Sequence, residues 1–146
     1  MIRVENLSNK WGEFELKKVS LEVKKGEYFV ILGPTGAGKT LLLELIVGLY
    51  IPNEGKILID GKDITYDVPE KRNLGFLYQD YSLFPHFSVK KNIEYGMKLR
   101  KVPKNEIDEK IKELSKMFKI QNLMDRDVMT LSGGEQQRVA LARALA

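Results

Sequence analysis

The chain has 146 residues, 43% of them hydrophobic, with 24 basic residues against 20 acidic ones for a net charge of +4. This apolar content suffices for a buried core and is too high for a disordered chain, while the complete lack of cysteine excludes disulfides and thiolate metal sites. Charges of both signs are interspersed without a long basic block, so no nucleic-acid partner is expected, and no run nears the roughly eighteen apolar residues of a membrane span.

Met1 to Glu5 lacks the apolar stretch of a signal peptide, so any membrane association is expected through a partner. Alternation in Phe14 to Lys17 and in Val19 to Val23 predicts half-buried antiparallel strands, followed by a turn at Lys24 to Glu27 and a buried strand at Tyr28 to Leu32. Gly33-Pro34-Thr35-Gly36-Ala37-Gly38-Lys39-Thr40 then matches G-x-x-x-x-G-K-[ST] in full. Its glycines let successive backbone N–H groups converge where the next helix presents its positive dipole end, a cradle for a polyphosphate. Lys39 is suited to the outer phosphates and the Thr40 hydroxyl to the magnesium that accompanies them. No threonine equivalent is expected at position 41, where Leu41 opens the apolar run to Val47. The helix from Lys39 is apolar nearly all round, hence central, and Gly48 suits its end.

Pro52 to Gly55 reads as a turn, Lys56 to Ile59 as a strand, Asp60-Gly61 as a turn and Leu74 to Tyr78 as a short strand leading to Gln79. Beyond Gln79, Pro85, Pro103 and the stripe Ile107, Ile111, Leu114 and Phe118 indicate helices with one buried face. Ser132 and Glu135 form a capping box ahead of an Ala/Leu-rich helix, and Gly133 and Gly134 leave bare N–H groups at its first turn, a second anion-binding surface. Two parts follow: residues 1–80 as a nucleotide-binding core with an antiparallel flank, and 81–146 as a helical subdomain.

Leu131-Ser132-Gly133-Gly134-Glu135-Gln136 resembles the signature motif of ATP-binding cassette (ABC) ATPases. The resemblance implies an α/β P-loop NTPase fold of ABC type: a RecA-like core with an antiparallel β flank and an α-helical signature subdomain. It further implies ATP and Mg2+ as cofactors, with Trp11 and the whole loop Gly33, Pro34, Thr35, Gly36, Ala37, Gly38, Lys39 and Thr40 on the nucleotide. Ser132, Gly133 and Gly134 would act in trans on ATP held by a second ATPase copy in a head-to-tail dimer. Gln79 resembles the Q-loop glutamine that helps hold magnesium and the attacking water, so the implied catalytic pair is Lys39 and Gln79 and the implied metal ligands are Thr40 and Gln79. Trp11 resembles the aromatic that stacks on adenine, though a lone Trp is more often a packing residue.

Across the whole chain the likeness is to importer subunits, most of all the archaeal molybdate/tungstate import ATPases. This implies a peripheral protein on the cytoplasmic membrane face, bound to a permease and served by an extracytoplasmic oxyanion-binding protein. Phe84 and Phe87 follow the Q-loop where such subunits receive a permease; they are contact anchors on that reading and subdomain core on the other. The family's Walker B Asp, catalytic Glu and switch His would come after the signature helix and are not among the 146 residues. The resemblance therefore implies an N-terminal portion that does not hydrolyse ATP alone. A non-transport ABC ATPase, or a cassette that binds ATP without turnover, is the alternative.

Overall fold

The computed structural model describes residues 1–146, which form two compact units, Met1–Leu74 and Gly75–Ala146. The first is built on an antiparallel sheet of β1 (Ile2–Trp11), β2 (Phe14–Val23), β3 (Glu54–Ile59) and β4 (Lys62–Asp63), in the order β2-β1-β3-β4. Strand β1 has no counterpart in the sequence reading, yet it is paired on both edges. Its pattern is masked by a bulge. Asn6 sits at φ 48°, and the extra residue puts both Val4 and Leu7 inside, three apart and off the period of two.

A matching bulge at Lys18, φ 44°, joins the two alternating runs expected at Phe14 and Val19 into one strand. Its displaced amide is satisfied: Lys18 N–H donates to Ser8 Oγ at 3.0 Å, and Asn6 N–H donates to Ser20 Oγ at 2.8 Å. Asp60 and Gly61, at φ 49° and 82°, make the two-residue turn between β3 and β4, where both central residues need positive φ.

Helix α1 (Lys39–Val47) ends at Gly48 in the left-handed region, φ 88°. It is not buried all round. Leu42, Leu45 and Ile46 join Val4, Leu7, Leu16, Ile57 and Ile64 in one core, while Leu43 is exposed, because the sheet covers only one side. Two further expectations fail in the same way. Neither Tyr28 to Leu32 nor Leu74 to Tyr78 is a strand, because neither is paired in the sheet. Tyr28 and Leu32 are consequently 93% and 86% exposed, and Ile31 alone of that run packs on the core.

The second unit is helical after Gln79: α3 (Val89–Leu99), α4 (Lys104–Met117) and α5 (Gly133–Ala144), with a short α2 (Pro69–Arg72) belonging to the first unit. Val89, Ile93 and Met97 of α3 recur every four residues and meet Ile107, Ile111 and Leu114 of α4 and Val139 and Ala142 of α5. Phe118, at the end of the expected stripe, is the C-cap of α4 and only partly buried. No helix is long and apolar enough to cross a membrane.

The tightest backbone approach in the sheet is at Gly55, φ 93°, where an added Cβ would lie 2.5 Å from the carbonyl oxygens of Glu5 and Asn6. Neither neighbour can yield without breaking the β1 bulge. Gly55→Ala is expected to destabilise the first unit by about 2 to 3 kcal/mol, with Gly61→Ala, in open space, costing less; urea denaturation of both variants checks the order.

Candidate functional site

The unpaired segment Tyr28 to Leu32 leads into a loop that turns on Gly36 and Gly38, at φ 83° and 85°, before entering α1. Ala37 N–H donates to the Pro34 carbonyl at 3.2 Å, and Leu42 N–H to that of Gly38 at 2.9 Å. Gly38 is needed twice over. Besides its left-handed φ, an added Cβ would lie 2.5 Å from Cζ of Phe14, so the β2 ring sits against the loop's last turn. Phe14 in turn faces Trp11, ring centroids 6.3 Å apart, and Trp11 meets Tyr50 edge-on at 5.8 Å. The structure thus joins Trp11 to the loop through Phe14, a residue the sequence reading passed over.

No side chain caps the N-terminus of α1 and no acidic residue lies in its first turn, so its free N–H groups and positive pole are open to an anion. Lys39 Nζ reaches back to the carbonyls of Gly33 and Pro34, at 2.8 and 2.7 Å, which places a cation over the loop on neutral acceptors. Thr35, Gly36 and Thr40 are exposed. A threonine at position 41 has no place in this site: the residue there is Leu41, half-buried in the first turn of α1, and its hydrocarbon side chain has no oxygen to offer a metal. Thr40 is therefore the hydroxyl at the helix start. Loop, cation and hydroxyl together present the donors a polyphosphate requires.

In the second unit α5 begins differently. Glu135 Oε2 accepts from the Ser132 N–H and the Ser132 hydroxyl, both at 2.8 Å, completing the expected capping box. These two bonds, the backbone one first, hold the Glu135 carboxyl below its ordinary value. Gly133 and Gly134 stay exposed, with N–H groups not engaged by the carboxylate.

Gln79 is exposed on a turn closed by Tyr81 N–H on the Tyr78 carbonyl at 3.1 Å. The residues after it are fixed by two side chains that the sequence reading missed. Arg143, near the end of α5, donates to the Ser82 and Tyr81 carbonyls at 2.7 and 2.9 Å and lies 5.3 Å over the Phe84 ring. Burial pulls its guanidinium below the usual arginine value. Asn92, fully buried in α3, accepts from Phe84 N–H and donates to the carbonyls of Phe84, Phe87 and Ser88. A guanidinium between Ala142 and Ala144 was the one available signal. Phe84 and Phe87 cluster with Tyr95, with centroid distances of 4.7 to 5.8 Å; Phe84 is exposed and Phe87 partly buried.

Residues 16–146 match the family model described as ABC transporter. The chain is 55% identical over 145 residues to the molybdate/tungstate import ATP-binding protein of Pyrococcus abyssi, covering 99% of this chain and 42% of that protein. It is likewise 55% identical to the protein of the same name from Methanocaldococcus jannaschii, over 99% of this chain and 48% of that one. A dimeric ATP-binding cassette in a post-hydrolysis state bound to ADP and Pi superposes with a TM-score of 0.85 at 33% identity, over 100% of this chain and 69% of that one. The cbiO1 subunit from Clostridium perfringens, part of an ABC transporter complex, gives 0.86 at 32% identity, over 99% and 60%.

The chain belongs to the ABC transporter family, and its fold is that of an ABC-type ATPase cassette. It spans less than half the length of the two import proteins it matches.

Glu135 gives the site a pH signature. Its lowered folded value means that its contribution is present above about pH 4.3, the ordinary glutamate value, and is lost as pH falls through the folded value. The stability gap between wild type and Glu135→Gln, measured by urea denaturation, should therefore be constant from pH 7 to 5 and close on further acidification.

Proposed function

We propose that the chain carries the ATP-binding and signature parts of an importer ATPase that couples ATP hydrolysis to uptake of an oxyanion, molybdate or tungstate. The observation that carries this reading is the open, uncapped loop Gly33 to Thr40 with Lys39 folded over it, in a chain 55% identical to molybdate/tungstate import ATP-binding proteins. An anionic phosphate oxygen is a stronger acceptor for the Lys39 ammonium than the two neutral carbonyls it now contacts. Binding would turn the lysine from the loop to the outer phosphates, while the loop N–H groups take the inner ones. Trp11, braced by Phe14 and Tyr50, offers the base a rigid aromatic face.

Magnesium suits the donors available. Thr40 and Gln79 supply neutral oxygens, which the anionic phosphate oxygens of a nucleotide would complement. When bound, the metal would neutralise charge developing on the phosphates. The exposed Ser132, Gly133 and Gly134 would engage the triphosphate on a second copy, and Gln79 would orient the attacking water. The solved relative in a dimeric, ADP- and Pi-bound state supports both the nucleotide and the pairing. Phe84 and Phe87, bracketed by Asn92 and Arg143, present an aromatic surface for a permease at the cytoplasmic face of the membrane, with an oxyanion-binding protein delivering cargo on the far side.

Titration of the single Trp with Mg-ATP tests the nucleotide site: its fluorescence should be quenched as the base stacks. Lys39→Ala should weaken ATP about 10- to 100-fold, the worth of a charged hydrogen bond of about 1.5 to 3 kcal/mol, while AMP is nearly unaffected. Equal losses for both nucleotides would remove Lys39 from the outer phosphates.

For the transport reading, Phe87→Glu in the protein as its gene encodes it should abolish co-purification of the permease and leave ATP affinity within about twofold, since Phe87 belongs to the aromatic cluster of the second unit and not to the loop Gly33 to Thr40. Unimpaired co-purification would exclude this surface as the docking site.

A further inference from the structure

Arg72, the last residue of α2, is 3% exposed and has no carboxylate within ion-pair distance; Asp67, the nearest acid, faces Lys62 at 3.7 Å. All four of its hydrogen bonds go to backbone carbonyls. Nη1 donates to Leu45 and Ile46 at 2.9 Å each, Nη2 to Thr65 at 2.8 Å, and Nε to Asp67 at 2.8 Å. The carbonyls of Leu45 and Ile46 lie in the last turn of α1, at its negative pole; that of Leu45 also accepts from Gly48 N–H at 3.1 Å, and Arg72 supplies a donor to both. The other anchor leads to the sheet. The Thr65 hydroxyl accepts from Ile57 N–H of β3 at 2.9 Å and donates to Asp63 at 2.6 Å. Gly48 makes room for the guanidinium, since an added Cβ there would lie 2.4 Å from Arg72 Nε.

The remaining restraints on α1 are less directional. Its packing through Leu42, Leu45 and Ile46 is apolar, which favours burial but fixes position along the axis weakly. The segment Tyr28 to Leu32 that feeds the loop has no ladder bonds to hold it. Arg72 is the only side chain from outside the loop and helix that hydrogen-bonds to α1.

We propose that Arg72 is a positioning residue for nucleotide binding: by fastening the C-terminal turn of α1 to Thr65 and Asp67, it sets where the loop's N–H groups point about 14 Å away. The inference rests on the reading of Gly33 to Thr40 as a triphosphate loop. Arg72 touches no ligand itself. Its effect passes through the nine-residue helix to the loop, so the triphosphate should depend on it more than a base contact at Trp11, whose ring Phe14 of β2 also holds.

The test uses the protein as its gene encodes it, with Mg-ATP and adenosine as probes, well below the melting temperature of each variant. Arg72→Met, which keeps the chain length but not the donors, should weaken ATP at least tenfold and adenosine less than twofold, with Arg72→Lys intermediate. Hydrogen exchange on the unaltered protein gives a readout that needs no variant. Saturating Mg-ATP should slow exchange of the Gly48 and Leu49 amides, which bond to Glu44 and Leu45 at the far end of α1. If Arg72→Met fails to fold, Arg72→Lys and the exchange measurement decide. ATP affinity within twofold in a folded variant, or unchanged exchange at Gly48 and Leu49, overturns the proposal. Failure of the unaltered protein to bind ATP would instead refute the phosphate-loop reading.

Discussion

Everything in the first unit is arranged around the packing of α1 on one face of the antiparallel sheet. Leu42, Leu45 and Ile46 bury against Val4, Leu7, Leu16 and Ile57, and that contact puts the start of the helix beside β2. Phe14 then meets Gly38 so closely that no side chain fits, and the loop's last turn is pressed against the ring. The sheet's two bulges serve the same contact: without Asn6 and Lys18 in the left-handed region, Leu7 and Val19 would fall on the wrong face. A helix N-terminus is useful for binding an anion only if it is held still, and here apolar area holds one face while a buried guanidinium holds the far end.

The two helix N-termini of the candidate site are electrostatically unlike. That of α1 carries no acid and no cap, so its positive pole is available, with Lys39 adding a full charge. The first turn of α5 already contains a carboxylate, drawn onto Ser132 by two hydrogen bonds, and the remaining N–H groups belong to two glycines. The first arrangement carries an unneutralised positive charge, which suits a highly charged ligand. The second is partly neutralised and suits a ligand presented from elsewhere, which fits the reading that it completes a site on another copy.

In the second unit, polar side chains do what regular structure does not. Between Gln79 and α3 lie Tyr81 and Ser82, both at positive φ, in a segment without helix or strand. Its carbonyls and amides are met by Arg143 from α5 and Asn92 from α3. Since the same arginine overlies Phe84, the glutamine turn, the aromatic cluster and the signature helix share one bracket. Movement of α5 would be felt at the aromatic surface through contacts that are already made.

The local chemistry was legible in the sequence: the loop Gly33 to Thr40, the apolar Leu41 that follows it, the capping box at Ser132, the left-handed stop at Gly48, the Asp60-Gly61 turn and the stripe of α4 all follow from residue types at fixed short spacings. Elements whose existence depends on a distant partner were not. Strand β1 hid behind a bulge that breaks its alternation, and is a strand because β2 and β3 lie on either side of it. Tyr28 to Leu32 has the composition of a buried strand and remains exposed, because a strand is a paired object and composition does not supply the pair. Arg72, Arg143 and Asn92 looked like ordinary polar residues. Only tertiary structure placed the two arginines on carbonyls 26 and 27, or 61 and 62, residues away along the chain, distances at which no local pattern survives; Asn92 acts nearer, on carbonyls 4 to 8 residues back, but in a segment whose irregular path no residue pattern specifies.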